Sequence, residues 1–330
     1  MEYGRNRGST LSITKPCARR RFGSDTSVNT AAFFGLSAIV VLKYVFTPVW
    51  VGIDASLYAA ASAAWIGGFD PWAVHQAGIY YAAPPPTLLP FVPFAWMPPV
   101  VVSLSWIVGS LILAWLAIRA LKLPLWWMAF PPIVDGALAG NPDVAVLALL
   151  VVGGGRLGAL APFLKIYALI PMLGERRWRQ VALSSVLLAA SWFILPWGQW
   201  FAGLPVITTH LINTSATTSI FGQPVLMAIA VIALLSLGLR RAGWLAVPIL
   251  WPYTQFHYAA ISVPGLTPYL ALCWCFPTPE VWLASTCVFA VYQRIVKARG
   301  PRPVVPEVTP MSGADPYRSA ATKIDPSSSE

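Results

Sequence analysis

Continuous apolar runs, rather than amphipathic stripes, set the limits on what this chain can fold into. Eleven follow one another, at residues 31–50, 84–98, 100–118, 124–138, 141–154, 157–174, 180–197, 223–239, 242–257, 260–276 and 280–296. About 20 apolar residues in a helix span the hydrocarbon core of a bilayer. A membrane β-barrel would need alternation along each strand instead. Hydrophobic residues make up 57% of the chain and charged ones 10%, against about 25% charged in a soluble domain. That leaves too little polar surface to coat a soluble globule. A cytosolic enzyme, a disordered protein and a DNA-binding domain built on a basic face are excluded, and an all-α polytopic membrane protein is expected.

The charges are placed as membrane anchors. Twelve of the 22 Lys and Arg residues lie in residues 1–30 and 294–330. Between the tails stand only six acids: Asp54, Asp70, Asp135, Asp143, Glu175 and Glu280. The net charge of +10 is therefore mostly tails and short loops, the pattern of cytoplasmic anchoring, and no nucleic-acid partner is expected. Cys17 lies in the basic tail, and Cys273, Cys275 and Cys287 sit in apolar surroundings without zinc spacing, so inert thiols are expected.

Residues 1–30 read as a disordered basic cytoplasmic tail and 299–330 as a second disordered tail rich in Pro and Ser. The body, 31–298, reads as one transmembrane domain. The run 31–50 is too long for a signal peptide and lacks a small-residue cleavage site, so it reads as a retained anchor with its N-terminus inside. Residues 51–83 then form an external loop, and 198–222 a second one. Prolines crowd several runs, with Pro84, Pro85, Pro86, Pro90 and Pro93 in one of them. They mark kinks, re-entrant pieces or helix ends that line a cavity. The runs at 84–98 and 264–277 are the ones least suited to cross.

Asp54 is the most informative residue. It follows the first span by four residues, in Trp50-Val-Gly-Ile-Asp54-Ala-Ser-Leu-Tyr58. Tyr58 lies one helical turn later, so both side chains share a face of a helix. The stretch 55–66 (ASLYAAASAAWI) is helical by composition, short and small-sided, and reads as an interfacial helix. Asp54 either caps that helix or faces a cavity at the membrane boundary as an ionised carboxylate.

Downstream come Gly67-Gly68-Phe69-Asp70-Pro71-Trp72, then His75, then Tyr80-Tyr81-Ala82-Ala83-Pro84-Pro85-Pro86. This loop resembles that of the GT-C glycosyltransferases, in particular the bacterial GT87 (DUF2029) group, which includes polyprenyl-phosphate-mannose-dependent mannosyltransferases. Asp54, Tyr58, Gly67, Gly68, Pro71, Tyr81, Pro84 and Pro85 match its first external loop in order. Gly140-Asn141-Pro142-Asp143 resembles the family's Gly-Gln-x-Asn turn, with Asn141 in place of Gln. Leu164-Lys165-Ile166-Tyr167 resembles its Lys-x-x-Pro segment, with the proline displaced to Pro171. The match covers residues 31–180 well and the remainder loosely.

The resemblance implies a GT-C-like bundle of about 10–11 transmembrane helices, with interfacial helices in the loop after the first span. It implies transfer of a hexose, with mannose the analogy, from a polyprenyl-phosphate carrier to a lipid or glycan acceptor. The location implied is the extracytoplasmic face of a bacterial plasma membrane, in contact with membrane lipids. Asp54 is expected as the general base. A phosphate leaving group needs no paired acid, so the two-carboxylate arrangement of hydrolases is not expected. Lys165 sits in an apolar run, where a charge is costly and by default functional, and it is the expected phosphate contact.

His257, in Trp251-Pro-Tyr253-Thr-Gln255-Phe-His257-Tyr258, is expected to touch phosphate or acceptor, with a hydrogen-bonded structural role as the other reading. Tyr58, Asp70, Trp72, Tyr80, Tyr81 and Asn141 complete the substrate-binding candidates, with Asp70 open to helix capping. Asp143 reads as a helix start after Pro142, and Asp135 as a cavity or hydrogen-bonded core residue. No acidic cluster of metal-binding type appears, and no metal or cofactor is expected. Gly153-Gly154-Gly155-Arg156-Leu157-Gly158 satisfies G-x-G-x-x-G formally but lies between two apolar runs, outside any βαβ context. A transporter or lipid flippase is the rival reading, though the repeated halves common in transporters are not visible. A membrane subunit without chemistry is a third.

Overall fold

A computed structural model describes residues 26–214 and 218–298. The tail assignments for residues 1–25 and 299–330 lie outside the described residues. The first helix begins earlier than the composition implied, so residues 26–30 belong to it rather than to a tail. The described residues up to Ala290 form one compact unit, which holds every site discussed below.

The chain is mostly helical. Helix α1 (Thr26–Phe46) is followed by α2 (Ile53–Ile66), then by a two-stranded hairpin. In the hairpin, β1 (His75–Gln76) pairs antiparallel with β2 (Ile79–Tyr80), His75 opposite Tyr80 and Gln76 opposite Ile79. A 3-10 segment over Pro85–Phe94 leads to α3 (Pro99–Ala120). Next come α4 (Pro131–Ala139), α5 (Asp143–Val152), α6 (Ala161–Leu164), α7 (Leu169–Gly174) and α8 (Trp178–Ser191). Then follow α9 (Trp197–Thr214), α10 (Pro224–Ser236) and α11 (Leu239–Leu250), a 3-10 segment over Phe256–Gly265, α12 (Pro268–Cys273) and α13 (Pro279–Ala298).

The apolar runs are helical, but most are shorter than a full crossing. Among the described residues α1 and α3 are long and apolar enough to span a membrane. The pair α4 and α5 makes a third candidate if it is one span broken by a bend of 116°. Proline shortens the remainder. Pro90 and Pro93 lie inside the 3-10 segment 85–94, and Pro264 inside the segment 256–265, where each removes a backbone donor and clashes with the preceding turn. Neither 84–98 nor 264–277 forms a helix of crossing length. The segment 198–222, expected as an external loop, is largely helical, because α9 accommodates Pro205 in its interior.

Burial explains the arrangement. α1 and α3 leave Phe34, Ile39, Val45, Phe46, Val100 and Leu104 uncovered, an apolar surface suited to hydrocarbon rather than to water. α2 is the opposite case. Ala55, Leu57, Tyr58, Ala59, Ala61 and Ser62 are buried, so this helix packs closely against the body. Its Ala and Ser side chains allow that close approach, and Ser62 Oγ donates to the Leu88 carbonyl at 2.9 Å.

Two glycines fix α2 in place. Gly52 (φ +66°) precedes it, and a Cβ there would lie 2.1 Å from the Ser103 Cβ on α3. Gly140 (φ +74°) ends α4, and a Cβ there would lie 2.8 Å from the Ala55 Cβ. Both need the left-handed backbone that glycine adopts without penalty. The first contact sets the start of α2 against α3, and the second sets it against the break between α4 and α5.

Candidate functional site

The break between α4 and α5 opens onto a cavity of about 560 Å³, within the range of small-molecule sites. Asp54 stands in the first turn of α2, at the positive end of the helix dipole. Asn141, buried in the break, donates from Nδ2 to Asp54 Oδ2 at 2.7 Å. Its Oδ1 accepts from the Asp143 backbone N–H at 3.2 Å. The amide is thus held at both ends and presents a donor to Asp54.

Lys165 lines the same cavity, though only 6% of it is exposed. It lies in the extended residue between α6 and the 3-10 turn Ile166–Ala168. Its Nζ donates to Tyr58 Oη at 2.8 Å and to Tyr258 Oη at 3.5 Å. It also sits 5.4 and 5.0 Å from the centres of those two rings, within cation–π range. Among the described residues no carboxylate stands within ion-pair distance of it. A buried ammonium held by tyrosine hydroxyls and ring faces keeps an electrostatic demand for an anion.

Aromatic groups form the rest of the wall. Trp72, Tyr80, Tyr81, Trp200, Trp251 and Tyr253 all line it. Trp72 is fixed by donation from Nε1 to the Ala83 carbonyl at 3.1 Å. Tyr80 on β2 stacks on His210 of α9, with ring centres 3.8 Å apart and planes 13° from parallel. That contact joins the hairpin to α9 across one side of the cavity.

Of the sequence-derived candidates, Asp54, Tyr58, Trp72, Tyr80, Tyr81, Asn141 and Lys165 come together around this one cavity. Two candidates fall elsewhere. Asp70 is exposed and caps the turn Pro71–Ala73, its Oδ1 accepting from the Trp72 N–H at 2.9 Å. The capping role open to it in the sequence is the one the structure gives it. His257 is buried behind the cavity wall. Its Nδ1 is 3.5 Å from Asp135 Oδ2, and its Nε2 is 3.7 Å from Asp143 Oδ2. It is not among the residues that line the cavity; its Nδ1 faces Asp135, and its Nε2 makes no hydrogen bond among the described residues.

The sequence reading missed several residues. Tyr258 and Tyr167 are first among them, Tyr258 through Lys165 and Tyr167 through a hydrogen bond from its hydroxyl to Asp143 Oδ1. Both adjoin residues that were singled out, Tyr258 beside His257 and Tyr167 two places after Lys165. His210 and Trp200 stand on α9, a segment that reads in sequence as an external loop, where a surface histidine and an interfacial tryptophan are the ordinary expectation. Comparison with protein-family models, with curated proteins and with solved structures finds no match for this chain.

Proposed function

We propose that this protein is an integral-membrane glycosyltransferase of GT-C type. It moves a hexose from a polyprenyl-phosphate donor to a hydroxyl of a lipid or glycan acceptor at the extracytoplasmic face. The observation that carries this reading is one cavity lined both by a carboxylate at a helix N-terminus, Asp54, and by a buried ammonium, Lys165, that has no carboxylate partner among the described residues. The first suits proton abstraction and the second suits a phosphate.

The proposed step is a direct displacement. Asp54 takes the proton of the acceptor hydroxyl. The acceptor oxygen attacks the anomeric carbon, and the bond from that carbon to the phosphate oxygen breaks. Its electron pair leaves on polyprenyl phosphate, whose charge Lys165 meets, helped by the hydroxyls of Tyr58 and Tyr258. Displacement from one side inverts the anomeric centre. The aromatic wall offers ring faces to sugar C–H faces, and the apolar surfaces of α1 and α3 supply lipid contact.

The alternative is a transporter or flippase, which the broken pair α4 and α5 favours, because interrupted helices often carry transport sites. Vesicles holding the purified protein, supplied with a radiolabelled polyprenyl-phosphate hexose and a lipid acceptor, separate the two. Transfer predicts label in a new glycosidic bond of inverted configuration. Label that changes leaflet with no new bond favours transport instead.

A further inference from the structure

Behind the cavity wall lies a buried polar chain to which the displacement step assigns no task. Asp135 Oδ1 accepts from Tyr44 Oη at 3.0 Å and faces Lys43 Nζ at 3.4 Å. Asp135 Oδ2 faces one ring nitrogen of His257, and Asp143 Oδ2 faces the other. Asp143 Oδ1 accepts from Tyr167. Asp135, Asp143 and His257 are 5, 0 and 3% exposed.

A neutral imidazole has one donor nitrogen and one acceptor, whereas the cation has two donors. His257 Nε2 and Asp143 Oδ2 are buried, make no hydrogen bond among the described residues and face each other at 3.7 Å, so a ring with a carboxylate oxygen before each nitrogen is best matched as the cation. Charge then closes within the cluster, as His257 and Lys43 balance Asp135 and Asp143. Space has been made for this ring: a Cβ on Gly136 of α4 would come within 3.3 Å of the His257 Cβ.

We infer that His257 is a positioning residue which, as an imidazolium bridging Asp135 and Asp143, fixes the turn at 140–143 and through Asn141 the carboxylate of Asp54. The linkage is continuous. The ring's Nε2 faces Asp143 Oδ2 at ion-pair distance, 3.7 Å, and the Asp143 backbone N–H holds Asn141 Oδ1. Asn141 Nδ2 in turn holds Asp54 Oδ2. Lys43, on α1, extends the anchoring to the first helix.

The effect on rate rests on the reading of Asp54 as base, so the experiment has one arm that needs no activity. The chain has 3 His residues, and replacing His75 and His210 with Gln leaves His257 as the sole ring for ¹⁵N labelling in detergent. The expected spectrum at neutral pH shows both ring nitrogens protonated. The Asn141 side-chain amide, assigned by its disappearance in Asn141→Ala, should be slow to exchange with solvent and become faster in His257→Gln. A second variant, Asp135→Asn, keeps the ring and touches neither Asp143 nor Asn141; it should speed the same exchange. A singly protonated ring, or an Asn141 amide indifferent to both variants, would overturn the inference.

In the transfer assay, His257→Gln should lower kcat about 100-fold with little change in the KM for donor, and should add nothing further in an Asn141→Ala background. Independent, multiplying losses would mean that His257 does not act through Asn141. A wild type without transfer activity refutes the proposed function and leaves the ring and amide signals to decide this inference.

Discussion

The Asn141 side-chain amide donates to Asp54 Oδ2 at 2.7 Å across 87 positions of sequence, and this bond joins the first turn of α2 to the broken pair α4 and α5. It orients the carboxylate while leaving Oδ1 for another partner. Asn141→Leu removes the donor and keeps the bulk. Hydrogen bonds to charged groups contribute about 1.5–3 kcal/mol, so transfer should fall by about 10- to 100-fold. A rate equal to wild type would show that Asp54 needs no such orientation.

Lys165 is the cavity's buried cation. Lys165→Met keeps the apolar stem and removes the charge. Loss of a donor aimed at developing negative charge costs about 10²–10³ in rate. The expected result is a fall of that size in kcat/KM for the phosphate donor, with protein yield and thermal midpoint maintained. Tyr58→Phe should give a smaller fall, because Tyr258 still faces Nζ. Steady-state kinetics with a water-soluble short-chain donor would read both.

The approach of α2 to α4 depends on Gly140. Gly140→Ala meets both an unfavourable left-handed backbone and the Ala55 Cβ at 2.8 Å. Gly68→Ala has a similar φ of +77° but open space around it. The control should cost about 1–2 kcal/mol from the backbone alone, and Gly140→Ala more. Thermal unfolding in detergent should rank wild type, Gly68→Ala and Gly140→Ala in that order. Equal midpoints for the two variants would contradict the packing argument.

Glu175 lies in the loop between α7 and α8. Burial raises its carboxyl, but Arg177, the Trp244 indole N–H and Arg240 outweigh that and hold it below its ordinary value. A carboxyl depressed in the folded state stabilises the protein above the unfolded value of about 4.3. That contribution is lost as pH falls through the lower folded value. Wild type should therefore lose stability in this acid range, and Glu175→Gln should be less stable near neutral pH with a flatter acid profile. Parallel melting-temperature profiles for the two proteins from neutral to acid pH would contradict it.

Much of the cavity was readable because its residues carry costs that sequence exposes. A lysine inside an apolar run, and an aspartate just past a span with a tyrosine one turn on, are hard to explain as surface decoration. Together with the residues that the resemblance added, seven of the sequence-derived candidates converge on one cavity. What escaped was anything set by chain reversal. Proline-broken runs look as apolar as whole spans, so eleven runs were counted where the described residues hold two helices of crossing length and one broken pair. The small side chains of α2 also gave no sign of how tightly it packs against the body. His257 looked like a ligand contact because its two carboxylate neighbours are distant in sequence, at 135 and 143.

The central claim is that Asp54 removes the acceptor's proton. Its most direct test compares wild type with Asp54→Asn, both purified into lipid nanodiscs and checked for equal thermal midpoints. The label moved from polyprenyl-phosphate hexose to acceptor is then measured at saturating substrate. General-base catalysis contributes about 10²–10⁴-fold, so a fall of that order with an intact fold is the predicted result. An Asp54→Asn protein that transfers sugar at the wild-type rate would contradict the account.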